Sequence, residues 1–425
     1  MEPEILKHEN LQLRRAVDEL AFLNELSGTI GASFNSEEIM QTIIRKSIRA
    51  IKAEQGAITL VEEDGDKELK TLVRTMVSSS ERNPFSLGQN LFGWMHINKK
   101  PLAINDVHND ERFRGVEWEE SIRSVICVPL LLKSKLVGIL SVYNKKAKEG
   151  FSEDDSRLLA IIAGQSAQVI ENARLYEEEQ ALIKFKEEAR LAAEIQRTLL
   201  PKSDPDIPGY DIAGRSIPAL SVGGDYFDFI AIDDNNIAVC LGDISGKGMP
   251  AALLMSNLQA TIRGQVFVGG TAKDCVCRSN KLLYRSTDPN KFATFFYGIL
   301  DHENNKLCYT NAGHNPPLFF QKSQEPDLLR LGGPVLGFLE DLEYLDDIIT
   351  LDKGDLVCIY SDGITEAMDN EENEFGEEHL VKLISDNRDL GSSEIIQRII
   401  VDVNRHSEGF PQSDDITIVV IKRVE

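Results

Sequence analysis

The chain has 425 residues, and 69 acidic side chains against 46 basic ones leave a formal charge of −23. That length predicts two or three domains, each with room for a core. The charge argues against nucleic acid and anionic membrane as main partners, because both require a basic footprint. No apolar run reaches transmembrane length, and the opening Met1-Glu2-Pro3-Glu4 is charged, unlike a signal peptide. Six scattered cysteines (Cys127, Cys240, Cys275, Cys277, Cys308 and Cys358) lie mostly in apolar text, which predicts reduced, buried thiols of a cytoplasmic protein. Cys275 and Cys277 are too close for zinc-type spacing and have no second pair.

Residues 1–30 predict one helix. Leu6, Leu13 and Leu20 recur every seven residues, and Asn10, Val17 and Asn24 fill the alternate seam position. Asn at that position fixes register at some cost in stability, so the pattern favours a parallel coiled-coil dimer. The competing reading is an amphipathic helix packed on its own domain.

Residues 31–175 form the next unit. A helix is expected over 36–51, strands over 56–61 and 70–76, an apolar strand over 122–132, a turn at Lys133-Ser134-Lys135 and a return strand over 136–144. Ser152 followed by Glu153, Asp154 and Asp155 marks a helix start, with acids set against the positive end of the helix dipole. The run Arg123-Ser124-Val125-Ile126-Cys127-Val128-Pro129-Leu130, with Val137-Gly138-Ile139-Leu140, resembles the core of GAF domains, an α/β sensor fold. That resemblance implies either an unknown small-molecule ligand or a purely dimerising role. Asn144, Lys145, Phe151 and Asp155 match part of the signature of cyclic-nucleotide-binding GAF domains, but Ser156 stands where the signature has an acid. Each of the four also has a plain structural use, as strand end, core anchor or helix cap.

Residues 176–200 read as a helical coiled-coil linker. Leu175, Leu182, Phe185, Ala189, Ala192 and Leu199 keep a near-heptad seam, and no Gly or Pro interrupts it before Pro201. Such a segment is stiff and suited to transmitting rotation or a register shift.

Residues 201–425 alternate runs of strands with helical pairs. Strands are expected over 211–216, 226–231, 236–242, 294–301, 306–311, 317–321, 355–361 and 416–422, and helices over 249–264, 271–286, 377–387 and 392–406. That order implies an α+β layered fold. Four acidic motifs stand out: Gly223-Gly224-Asp225-Tyr226-Phe227-Asp228, Gly242-Asp243-Ile244-Ser245-Gly246-Lys247-Gly248, Tyr360-Ser361-Asp362-Gly363 and Ser413-Asp414-Asp415-Ile416-Thr417. Asp is depleted in strands and expensive to bury unpaired. Several such carboxylates brought together repel one another unless a hard divalent cation such as Mn²⁺ or Mg²⁺ sits between them. The four motifs therefore read as one metal centre.

With Leu199-Leu200-Pro201, Ala293-Thr294-Phe295-Phe296-Tyr297-Gly298 and Asn311-Ala312-Gly313-His314-Asn315-Pro316, these motifs resemble, in order, the PP2C-type (PPM) protein phosphatases of the SpoIIE/RsbU-like branch. The resemblance implies an αββα sandwich and a two-ion centre that activates water to hydrolyse phosphoserine or phosphothreonine, with no phosphoenzyme. Asp243 would bridge the ions, Asp225, Asp362 and Asp414 would complete the cage, and the backbone carbonyl of Ile244 would add an oxygen. Asp414 and Asp415 point to opposite faces of an extended chain, so one ligates and the other supports; the family pattern favours Asp414. Asp228 reads as a supporting or surface residue. Lys247, between two glycines before a helix, is either a phosphate contact or a solvated lysine. His314 is either a proton donor to the leaving oxygen or a structural histidine in a turn. The phosphate-gripping Arg of eukaryotic members has no clear counterpart; Arg215 lies close in a different context.

RsbU-like membership further implies a STAS-domain anti-anti-sigma protein as substrate, a homodimer formed through the helices, and regulation by the GAF domain. A phosphatase-like scaffold without activity is the alternative, disfavoured by the complete set of four Asp. A histidine kinase is excluded by the missing His-Glu helix motif and ATP lid, and a nucleotide cyclase by the downstream motifs.

Overall fold

The computed structural model describes residues 35–61, 70–76, 89–114, 116, 118–288, 290–321 and 325–425. The expected coiled coil over 1–30 lies outside them. The chain divides into two compact units, Met1–Lys184 and Phe185–Glu425.

The first unit opens with helix α1, Ser36–Ile51, where the Asn35 side chain accepts from the backbone N–H groups of Glu37 and Glu38. Ile39, Met40, Ile43, Ile44, Ile48 and Ile51 recur at helical spacing and are buried on one face. Burying each such side chain contributes about 1.5–3 kcal/mol. The sheet consists of β1 (Ala53–Leu60), β2 (Lys70–Met76), β3 (Leu102–Ile104), β4 (Val125–Leu132) and β5 (Lys135–Lys145), in the antiparallel order β2-β1-β5-β4-β3. Helix α2, Gln89–Asn98, precedes β3 and was not legible as a separate element. Lys133 and Ser134 both take positive φ, 45° and 70°, and close the β4–β5 hairpin.

Alternation in β4 splits the core. Ile126, Val128 and Leu130 face α1 and the long helix α3, Glu153–Leu199. Val125 and Cys127 face the opposite way, with Leu91, Met95, Val107 and Phe113. The partial cyclic-nucleotide signature is structural. Lys145 Nζ pairs with Asp155 at 2.7 Å and donates to the Ile51 carbonyl, Asn144 Oδ1 accepts from Arg123 N at 2.8 Å, and Phe151 is buried. Helix α3 is continuous over 47 residues, so the expected boundary at 175/176 falls inside it.

The second unit is an αββα sandwich. One sheet contains β7 (Tyr226–Ala231), β8 (Asn236–Ile244), β9 (Ala293–Asp301), β10 (Lys306–Ala312), β13 (Gly332–Gly333) and β14 (Asp347–Thr350), in the order β13-β10-β9-β8-β7 with β14 also on β10. The other contains β6 (Tyr210–Ile217), β11 (Leu318–Phe320), β12 (Asp327–Leu328), β15 (Leu356–Tyr360) and β16 (Ile416–Arg423), in the order β12-β11-β15-β16-β6. Phe227, Val239, Leu241, Phe296, Val357, Ile359 and Val419 fill the space between the sheets. Helices α4 (Met249–Val266) and α5 (Ala272–Ser286) cover the first sheet. A short helix, α6 (Asp362–Thr365), follows β15, and α7 (Glu377–Asp386) and α8 (Ser392–His406) cover the second sheet.

The expected strands and helices agree with these to within one to three residues at each end. Besides α2, the exceptions are the short elements β3, β12, β13, β14 and α6, too brief to carry a period. All six cysteines are free. Among the described residues no helix is long and apolar enough to cross a membrane.

Candidate metal centre

The period of two that builds the sandwich also aims its acidic residues. Ile237, Val239 and Leu241 of β8 point between the sheets, so Asp243 does too. Asp225 lies two residues before inward-facing Phe227, Ser361 two after Ile359, and Thr417 two before Val419. All four positions prolong the inner layer at one mouth of the sandwich. Gly242 lets β8 approach β9 there: a Cβ on it would sit 2.7 Å from Phe295 Cδ2. Gly363 lets the Asp362 and Asp414-Asp415 segments touch backbone to backbone, since its Cβ would lie 2.1 Å from the Asp415 carbonyl oxygen.

The adjacent Asp414 and Asp415 do different things. Asp415 is buried, and its carboxylate accepts from Ala219 N at 2.7 Å, Gly224 N at 2.6 Å and Asp225 N at 3.3 Å. It ties β16 to the loop that carries Asp225. Asp414 faces the other carboxylates; its Oδ2 pairs with Lys247 Nζ at 2.9 Å and its Oδ1 accepts from Asp415 N. The Ile244 carbonyl lies over Gly224, 3.3 Å from where a Cβ would be.

Electrostatics mark the cluster. Asp225 is 3% exposed, and its Oδ2 has no hydrogen-bond partner among the described residues. Burial, then the charge of Asp243, pushes its proton affinity well above the usual carboxylate range, against the nearby Thr417 and Ser361 hydroxyls. Burial and the charges of Asp362, Asp414 and Asp415 raise Asp243 to about 7. Asp362 is raised by burial and by Asp414. Lys247 is held protonated chiefly by its bond to Asp414. The site is an oxygen-only donor set short of positive charge, which suits a hard dication. Among the described residues, no three His, Cys, Asp or Glu side chains already stand as a closed cage.

The other predicted residues lie outside the cluster. Asp228 is fully buried on the opposite face of β7, where it accepts from Tyr226 Oη at 2.7 Å and Arg263 Nε at 2.7 Å. His314 is buried at the end of β10, with Nδ1 2.8 Å from Thr294 Oγ1. Burial lowers its proton affinity to about 4, so the ring is neutral at pH 7. Its backbone N–H donates to Asn311 Oδ1 at 2.7 Å, as expected of a structural turn residue. Arg215 pairs with Asp204 at 3.0 Å.

Three residues were missed. Glu366 is raised by burial and then by Asp362; its position four after Asp362 on a helical turn was the available signal. Lys291 donates to the Ser245 carbonyl at 3.4 Å beside Gly246. Gln196, near the end of α3, donates to the Gly223 carbonyl at 2.7 Å and accepts from Gly223 N at 3.0 Å. No sequence pattern could have announced that long-range contact.

Comparisons with known proteins bear on the family and the fold. The family model for stage II sporulation protein E (SpoIIE) matches residues 233–424, and a GAF domain model matches residues 35–171. Over 291 residues the chain is 30% identical to the phosphoserine phosphatase RsbU of Bacillus subtilis, covering 67% of this chain and 86% of that protein. It is 30% identical over 257 residues to protein IcfG of Synechocystis, spanning 54% of this chain and 40% of that protein. The solved PP2C domain of SiaA from Pseudomonas aeruginosa matches 57% of this chain and 98% of its own length, with a TM-score of 0.51 and 19% identity, a likeness of fold.

The different duties of the two adjacent acids predict different costs. Asp415→Ala strips three backbone N–H groups of their acceptor and should destabilise the cation-free protein by about 2–4 kcal/mol. Asp414→Ala loses a half-exposed ion pair and should stay within about 1 kcal/mol of wild type. Urea unfolding in EDTA measures both; equal losses would contradict the assignment.

Proposed function

Because this chain belongs to the SpoIIE/RsbU-like branch of the PP2C-type protein phosphatases, we propose that it hydrolyses phosphoserine or phosphothreonine on a STAS-type anti-anti-sigma protein in partner switching. The observation that carries this reading is the gathering of Asp225, Asp243, Asp362 and Asp414 at one mouth of the sandwich, with Asp225 Oδ2 buried and unpartnered among the described residues. These residues fit two Mn²⁺ or Mg²⁺ ions. Bound there, the ions supply charge for the phosphoryl oxygens and a hydroxide nucleophile near neutral pH.

The chain's own residues position that chemistry. Asp243 bears on Asp225 and feels the charges of Asp362 and Asp414, the couplings expected of the residue that would serve both ions. Asp415 fixes the Asp225 loop through three N–H groups, and the Ile244 carbonyl adds a neutral oxygen beside it. His314, buried with Nδ1 on Thr294 Oγ1, holds the β10 turn.

Regulation enters through α3. Its Leu175, Leu182 and Phe185 are exposed at heptad spacing, a short apolar seam suited to a second copy of the helix, whereas Ala189 is buried and Ala192 packs beside Val222 and Ala252. Ala193 of the same helix packs with Val222 and Ala252, and Gln196 grips both polar groups of Gly223, two residues before Asp225. A dimeric linker that rotates or slides under control of the GAF domain therefore moves a ligand loop directly. What the GAF domain senses is a small molecule or a partner that acts through this dimer.

The wild type should release phosphate from p-nitrophenyl phosphate and from a phosphoserine STAS protein only with Mn²⁺ or Mg²⁺. Asp243→Asn should lower turnover roughly 10²-fold or more, the scale of losing a group that stabilises transition-state charge. Absence of turnover in the wild type with either substrate would favour an inactive scaffold. Gln196→Ala removes two hydrogen bonds at about 0.5–1.5 kcal/mol each. It should lower Mn²⁺-supported turnover about tenfold while Tm falls by only about 2–10 °C, so the protein stays folded at 25 °C; unchanged turnover would sever the link from linker to site.

A further inference from the structure

The reach of Lys247 into the carboxylates has a role that the cage residues do not explain. Its backbone is held on both sides. Ser245 N donates to the Phe292 carbonyl at 3.0 Å and Phe292 N donates back to Ser245 Oγ at 3.0 Å, while Ala252 N donates to the Gly248 carbonyl at 3.0 Å to start α4. Between those anchors Gly246 and Gly248 take φ of 99° and 71°, a conformation that favours glycine. The resulting loop aims Lys247 across to another segment, where Nζ donates to the Ser413 carbonyl at 2.6 Å and pairs with Asp414 Oδ2 at 2.9 Å. Lys291, the next cation along, turns instead to the Ser245 carbonyl. Both oxygens of Asp414 are thereby committed, one to Lys247 and one to the backbone of Asp415.

We propose that Lys247 is a built-in counter-ion that occupies Asp414 within the carboxylate cluster and is displaced from it when a dication binds. The inference rests on the metal-centre reading and goes beyond it. An ammonium is a compact, hydrated point charge on a flexible stem. Here its side chain is 52% exposed, so the pair with Asp414 is weak and exchangeable. A dication offers the same carboxylates twice the charge, and Lys247 both competes for Asp414 and repels the incoming ion. Lys247 thus stabilises the empty site and lowers its affinity for the cation.

The test uses the full chain as wild type, Lys247→Met, which keeps the stem without the charge, and Lys247→Arg, which keeps the charge. Mn²⁺ binding is followed by the electron paramagnetic resonance of the free ion, and melting is followed in EDTA and in saturating Mn²⁺. Lys247→Met should bind the weaker Mn²⁺ about three- to tenfold more tightly, the effect of removing one near-surface unit charge. It should melt about 2–4 °C lower in EDTA and at the wild-type temperature in Mn²⁺, and Lys247→Arg should track wild type throughout. Coincident isotherms for wild type and Lys247→Met, or weaker binding by the variant, would overturn the proposal while leaving the metal centre standing. Failure of all three proteins to bind Mn²⁺ would overturn the metal centre itself, and the proposal with it.

Discussion

Mutual repulsion among carboxylates is the constraint around which the second unit is organised. Asp225, Asp243, Asp362 and Asp414 arrive from four separate segments and raise one another's proton affinity where burial already disfavours charge. A fold that gathers such groups must hold them by other means. The glycines at 242 and 363 allow backbones to approach where any Cβ would collide. Asp415 spends its own charge on three backbone N–H groups and so fixes the loop that presents Asp225. The packed sandwich behind them is rigid enough to carry the strain.

The same arrangement explains why the site is open to control. Asp225 sits on a loop held from one side by Asp415 of β16 and from the other by Gln196 of the long helix. The first grip belongs to the core. The second depends on where the helix lies, and that helix exposes Leu175, Leu182 and Phe185 along one face. In the proposed regulation, assembly would act on the site through one glycine, Gly223, whose N–H and C=O Gln196 holds together.

Much of this was legible in the sequence. The sandwich strands announce themselves by alternation, and the helix starting after Ser152 and the turn at Lys133-Ser134 by capping and turn chemistry. The four acids stood out because Asp is out of place where an apolar run ends. Strand parity foreshadowed that Asp414 and Asp415 do different things, and only the family pattern favoured Asp414 as the ligand. What escaped notice depends on contacts between distant segments or on very short elements. Gln196 touches Gly223 across 27 residues, and Lys247 reaches Asp414 across more than 160. The β13 and β14 strands at the sheet margin are too brief to show a period. The environment of His314, buried and paired with Thr294, follows from the packing of β9 and β10, to which a turn motif gives no access.

The most direct test of the central claim is anomalous diffraction at the manganese absorption edge from crystals grown with Mn²⁺. The account predicts two peaks at the mouth of the sandwich, each within about 2.0–2.6 Å of carboxylate oxygens. Asp243 should touch both, Asp225, Asp362 and Asp414 should complete the set, and Asp415 should stay on its backbone partners. Peaks elsewhere, or an empty mouth at saturating Mn²⁺, would contradict it.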